Sequence, residues 1–96
     1  MVGTLPKEGA ARVIGYQLLK AGTSVGANYR EAKRGRSKPE FIAKVGIAGG
    51  EAEEYQYWLE LLQEGNITRS EQVEQPWKEA GELQAIFGAS IRTARK

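Results

Sequence analysis

Apolar residues recur along this chain at helical spacing in three successive blocks. In the first, Ile14, Leu18, Ala21, Val25, Asn28 and Ala32 follow one another at intervals of 4, 3, 4, 3 and 4. That is a seam along one side of an α-helix, turned toward a partner helix. In the second, Phe41, Val45, Ala48, Ala52, Tyr55, Leu59 and Leu62 continue the same alternation, and Ile42, Trp58 and Leu61 widen the stripe. The third set is less regular: Val73, Trp77, Ala80, Leu83, Phe87, Ile91 and Ala94. No segment alternates with a period of two, and there is no Asn-Gly or Asp-Gly hairpin turn.

Punctuation between the blocks places the helix ends. Residues 1–7 contain Gly3 and Pro6 and read as a tail. The first helix is expected over about residues 8–34, with Arg30, Lys33 and Arg34 complementing the helix dipole and Gly35 as its cap. Ser37 and Glu40 form a capping box with Pro39 in the first turn, which opens a second helix over 38–64 that Gly65 and Asn66 stop. Thr68 with Glu71 reads as another capping box, opening a third helix over 69–93. Pro76 cannot donate to the Gln72 carbonyl, so a kink or a late start is expected there. Both connections are short, which makes neighbouring helices antiparallel. The fold class is therefore all-α: one domain over residues 1–96, an antiparallel up-and-down bundle of three long helices.

Composition removes whole classes of chemistry. The 96 residues include no cysteine and no histidine, so disulfides, thiolate metal sites and Ser–His or Cys–His pairs are excluded. Paired helical carboxylates such as Glu51, Glu53, Glu54, Glu60 and Glu64 bring di-iron bundles to mind, but those sites need Glu-x-x-His. No catalytic residue, metal or cofactor is assigned, and the chain reads as a non-enzyme. No apolar run approaches a membrane span, and residues 1–11 lack the pattern of a secretory signal, so a soluble, cytoplasmic protein is expected, without a membrane partner.

Three stretches carry information. Helix-interior glycines cost about 1 kcal/mol each against alanine, and Gly15, Gly22 and Gly26 share one side of the first helix. Gly22 and Gly26 are candidates for close helix packing or assembly. Asn28, on the apolar seam, must find a hydrogen-bond partner and can fix register. Tyr55 and Trp58 fall on the second seam and join this packing set. Between the first two helices, Arg30, Lys33, Arg34, Arg36, Lys38 and Lys44 face only Glu31 and Glu40. This basic elbow is a candidate phosphate-binding patch for RNA or DNA, against the plainer reading of dipole complementation at a solvated turn. A formal net charge of +2 does not by itself argue for nucleic acid.

The run Gln17-Leu18-Leu19-Lys20-Ala21-Gly22-Thr23-Ser24-Val25-Gly26-Ala27-Asn28-Tyr29-Arg30-Glu31-Ala32 resembles the second helix of the four-helix-bundle family of 23S rRNA intervening-sequence proteins. Arg36-Ser37-Lys38 with Phe41-Ile42-Ala43-Lys44 is similar to that family's next turn, and Tyr57-Trp58-Leu59-Glu60-Leu61-Leu62 to the end of its third helix. The likeness continues through Glu82–Phe87 to Arg95. It implies an up-and-down bundle that forms ring-like homo-oligomers, commonly pentamers. Within the family, the accessory protein of diversity-generating retroelements works with a reverse transcriptase and binds nucleic acid. The sequence departs from the family pattern in two places. The family's first helix has no counterpart ahead of Arg12, and Gly49 and Gly50 stand where helix formers are usual. Together these readings make the chain a self-assembling scaffold or adaptor with nucleic acid as the expected ligand. The alternative is a purely structural or protein-binding bundle, and an enzyme is a distant third.

Overall fold

The computed structural model describes residues 7–35 and 37–96. These form three helices, α1 (Lys7–Lys33), α2 (Lys38–Glu64) and α3 (Ser70–Arg95), with no strand among the described residues. The molecule is a rod with principal extents of 48 × 20 × 18 Å. It runs up, down and up: α2 packs against both neighbours, while α1 and α3 approach each other at few points.

Local chemistry sets each boundary. Ser37 is the N-cap of α2, and its Oγ accepts the Glu40 amide at 3.2 Å, as the capping-box reading expects. At the other end, Gly65 is followed by Asn66 in the left-handed region, at φ 56°. The Asn66 amide donates to the Gln63 carbonyl (3.1 Å) and the Ile67 amide to the Leu62 carbonyl (3.0 Å). Those two bonds close a Schellman motif, in which Asn stands where glycine is commonest.

The third helix corrects the sequence reading. Thr68 does not cap it. The Thr68 and Ile67 amides both point at the Leu62 carbonyl, so Thr68 belongs to the end of α2. The N-cap is Arg69, whose guanidinium has no acceptor, and Gln72 Oε1 accepts the Arg69 amide at 3.4 Å instead. The helix starts at Ser70 and continues through Pro76, so the late start does not occur. Nor does Gly35 end α1 in a left-handed turn. No described glycine has positive φ, and the Gly35 amide simply donates to the Ala32 carbonyl at 3.0 Å.

The core follows the three seams. Ile14, Ala21 and Ala32 of α1, Val45, Ala48, Ala52, Leu59 and Leu62 of α2, and Val73, Ala80 and Phe87 of α3 are buried. Alanines at 48 and 52 let α2 sit close to both partners, and larger side chains fill the ends. One such cluster holds Ala32, Val45, Ala48 and Phe87 with Val25, Tyr29, Phe41 and Ile91 against it. Within it the Tyr29 and Phe87 rings meet with centroids 5.2 Å apart, directly joining α1 to α3. Trp77, expected in the core, is instead 42% exposed. Its indole N–H donates to Glu60 at 2.9 Å, a contact only a half-wet position allows. Beside it, Gln56 donates to the Trp77 carbonyl (2.9 Å) and accepts from Gln84 (2.6 Å), a polar ladder between α2 and α3.

Candidate nucleic-acid interface

The elbow is built from the last turn of α1, the connection after it and the first two turns of α2. Arg30, Lys33, Arg34 and Lys38 are exposed there. Arg36 lies outside the described residues. Two of the six cations are partly engaged. Lys33 Nζ sits 5.0 Å above the Tyr29 ring, a cation–π contact that holds its stem against the bundle. Lys44 Nζ lies 2.7 Å from Glu31 Oε1. That hydrogen-bonded ion pair holds the Glu31 carboxyl below its ordinary value and the Lys44 ammonium above its own. Lys44 is therefore a strut between α1 and α2 rather than a free contact.

The up-down-up path adds residues the elbow does not contain. The C-terminal end of α3 lies at the same end of the rod, where Phe41 of α2 shares a shallow notch with Ile86, Ala89, Ser90, Thr93 and Ala94. This brings exposed Arg92, Arg95 and Lys96 to the elbow's end of the molecule. Divided at the helix midpoints, the rod is strongly polarised. The half with residues 21–50 and 83–96 carries eight described cations against Glu31 and Glu40. The other half carries ten carboxylates, and its cations are Lys7, Arg12, Lys20, Arg69 and Lys78. A nearly balanced sequence thus folds into a rod with a basic end and an acidic end. The equal lengths of the helices and the short turns already contained this; counting charge along one dimension hid it.

The packing candidates separate. Gly22 lies under Tyr55, with the ring edge 3.5 Å from where a Cβ would stand. A Cβ on Gly15 or Gly26 would meet nothing within 4 Å, so within one chain these glycines serve no close helix contact. Asn28 finds its partner on its own helix, donating to the Ser24 carbonyl at 3.0 Å. Tyr55 and Trp58 are half-buried, and the Trp58 indole nitrogen is enclosed with no hydrogen-bond partner. Among the described residues no three carboxylates converge as a metal site would need, and no helix is long and apolar enough to cross a membrane.

The 23S rRNA-intervening sequence protein family model matches residues 1–89. The chain belongs to that family. A solved relative shares 40% identity and superposes with a TM-score of 0.80, covering 82% of this chain and 73% of its own. It is a protein with unknown function from the S23 ribosomal protein family, from Bacteroides thetaiotaomicron VPI-5482. No curated protein matches the chain. Family membership agrees with the all-helical bundle seen here and leaves chemistry to be argued from the residues.

Proposed function

We propose that this chain is a non-enzymatic scaffold or adaptor of the cytoplasm, one that assembles with copies of itself and holds RNA or DNA at its basic end. The observation that carries the reading is the concentration of eight described cations against two acids in one half of a rod whose overall charge is +2. Phosphate contacts ask for exposed cations on a fixed frame, and Arg34, Lys38, Arg92 and Arg95 supply them from three helix termini. Such contacts are indifferent to base sequence and release counter-ions, so affinity falls steeply with salt. The protein-binding alternative draws on a different feature, a mostly apolar groove between α1 and α3 lined by Gly22, Val25, Tyr55, Pro76 and Leu83, and does not compete for the same surface.

Fluorescence anisotropy with labelled single- and double-stranded RNA and DNA, from 25 to about 300 mM salt, tests the proposal. Binding is expected at low salt, with a similar slope for unrelated sequences. Replacing Arg34 and Lys38 by Ser should weaken all of them alike and flatten the slope by about two. Replacing Arg92 and Arg95 should do the same. Absence of any binding at the lowest salt would remove nucleic acid from the function and leave the protein-binding scaffold.

A further inference from the structure

The acidic half of the rod holds a shallow notch on the flank of the α2–α3 hairpin. Glu60, Gln63, Ser70, Val73, Glu74 and Trp77 line it, and no residue of α1 does. Its aromatic wall is the half-exposed Trp77 ring. Two bonds hold that residue in place: the indole N–H donates to Glu60 Oε2 at 2.9 Å, and Gln56 donates to the Trp77 carbonyl at 2.9 Å. An indole whose N–H donates to an anion is polarised and carries more negative charge on its face. The polar groups around the ring are mostly acceptors. Glu60 keeps Oε1 without a partner among the described residues. Glu74 Oε2 meets Lys78 at 3.2 Å, and both of those side chains are more than half exposed. Gln63 donates its side-chain N–H to Ser70 Oγ at 3.1 Å, which leaves its amide oxygen as a further acceptor.

We infer that this notch receives an arginine side chain carried by a cationic segment of another protein. The inference is independent of the nucleic-acid reading and gives the adaptor a partner at its other end. Charge selects the sign of the occupant. Ten carboxylates against five cations in this half draw a cation in and keep phosphate away. The ring selects its kind. Carboxylates alone would be a solvated helix surface, but a cation lying over an indole face is also attracted by the ring quadrupole. A guanidinium is planar, so it can stack on the ring while its five N–H groups reach Glu60, Glu74 and the Gln63 amide oxygen at its edge. An ammonium is a compact point charge and cannot do both at once. The shallowness of the notch selects a chain over a free small cation, which would stay wet on its outer side. A peptide continues past the notch over the exposed Glu64 and Glu71, which adjoin the lining residues in sequence.

A labelled peptide of alternating arginine and glycine, titrated with the full chain, tests this. The titration runs at about 100 mM salt, where charges more than about 10 Å apart are largely screened. Anisotropy should show saturable binding. In a proton–nitrogen correlation spectrum the Trp77 indole N–H signal should move and that of Trp58 should stay. The same peptide built with lysine should bind about two- to fivefold more weakly. One built with citrulline, neutral and of the same shape, should not bind. Glu60→Gln with Glu74→Gln should weaken binding about tenfold or more, because charge-assisted bonds are lost. Glu8→Gln with Glu54→Gln removes equal charge from the same half outside the notch and should change affinity by less than about twofold. All four side chains are exposed, so helical circular dichroism should persist in both double variants. Nucleic-acid binding at the basic end should persist in Glu60→Gln with Glu74→Gln, so the two readings fail separately. Absence of peptide binding, or a Trp77 signal that ignores the peptide, would overturn the inference. Equal losses in the two double variants, or equal binding of the arginine and lysine peptides, would reduce the attraction to net charge and overturn it as well. A Trp77 signal that moves with chain concentration alone would give the notch to a second copy instead.

Discussion

Glu31 and Lys44, thirteen residues apart in sequence, meet at 2.7 Å and tie the end of α1 to the second turn of α2. Both side chains stay partly wet, at 58% and 35% exposure, so the pair is screened by salt and fixes geometry more than it adds stability. Its pH dependence has a definite sign. The Glu31 carboxyl sits below its ordinary 4.5, so its contribution is complete above that value and is lost as pH falls through the lowered one. The Lys44 ammonium sits above its ordinary 10.5, so its contribution is complete below that value and is lost as pH rises through the raised one. Carboxyl NMR titration should show Glu31 titrating low in the native chain and returning toward 4.5 in Lys44→Met. An unchanged Glu31 titration in the variant would show that the pair does not form in solution.

Gly46 and Gly50 sit inside α2 with open space where a Cβ would be. Neither has positive φ. Alanine at each should therefore stabilise the fold by about 0.5–1 kcal/mol through helix propensity and reduced chain entropy. For a domain of this size each kcal/mol raises Tm by about 4–8 °C. Thermal melts of the two single variants and the double variant test this, with near-additive gains expected. A fall in Tm would show that another chain packs against this face.

Trp58 presents the opposite case, a large side chain whose polar atom gains nothing. Its indole nitrogen is enclosed without an acceptor, and an unsatisfied buried donor costs about 1–3 kcal/mol. Trp58→Phe removes that cost along with some packing area, so urea unfolding should place it within about 1 kcal/mol of the native chain. Leu59→Ala, one position along and buried, should lose about 2–5 kcal/mol. A comparable loss in Trp58→Phe would mean that the nitrogen finds an acceptor in an assembled state.

Much of this architecture was legible because the helices are long and their seams regular. The spans expected for α1 and α2 agree with the structure to within one residue, since Ser37 and the Gly65–Asn66 pair act through local bonds that a short window of sequence contains. The start of α3 was misread for a physical reason. Thr68 has the right side chain for a cap, but its amide is already committed to the Leu62 carbonyl six residues back. Trp77 was misplaced because an indole is apolar in body and polar at its tip, and Glu60 was not visible as its partner until α2 and α3 were docked. The elbow was legible as a run of neighbouring cations. The engagement of Lys44 by Glu31 and the arrival of Arg92, Arg95 and Lys96 at the same end are products of the antiparallel path, which no local window holds.

The central position of α2 also bears on how the molecule comes together. Each of its two hairpins closes through a turn of a few residues, a small loss of chain entropy, and each can find its partner without the other. The Tyr29–Phe87 contact is different. It spans 58 residues of sequence and becomes cheap only when both hairpins already share their middle helix. Assembly can therefore begin at either end of the chain, and that aromatic pair is the clasp that closes last.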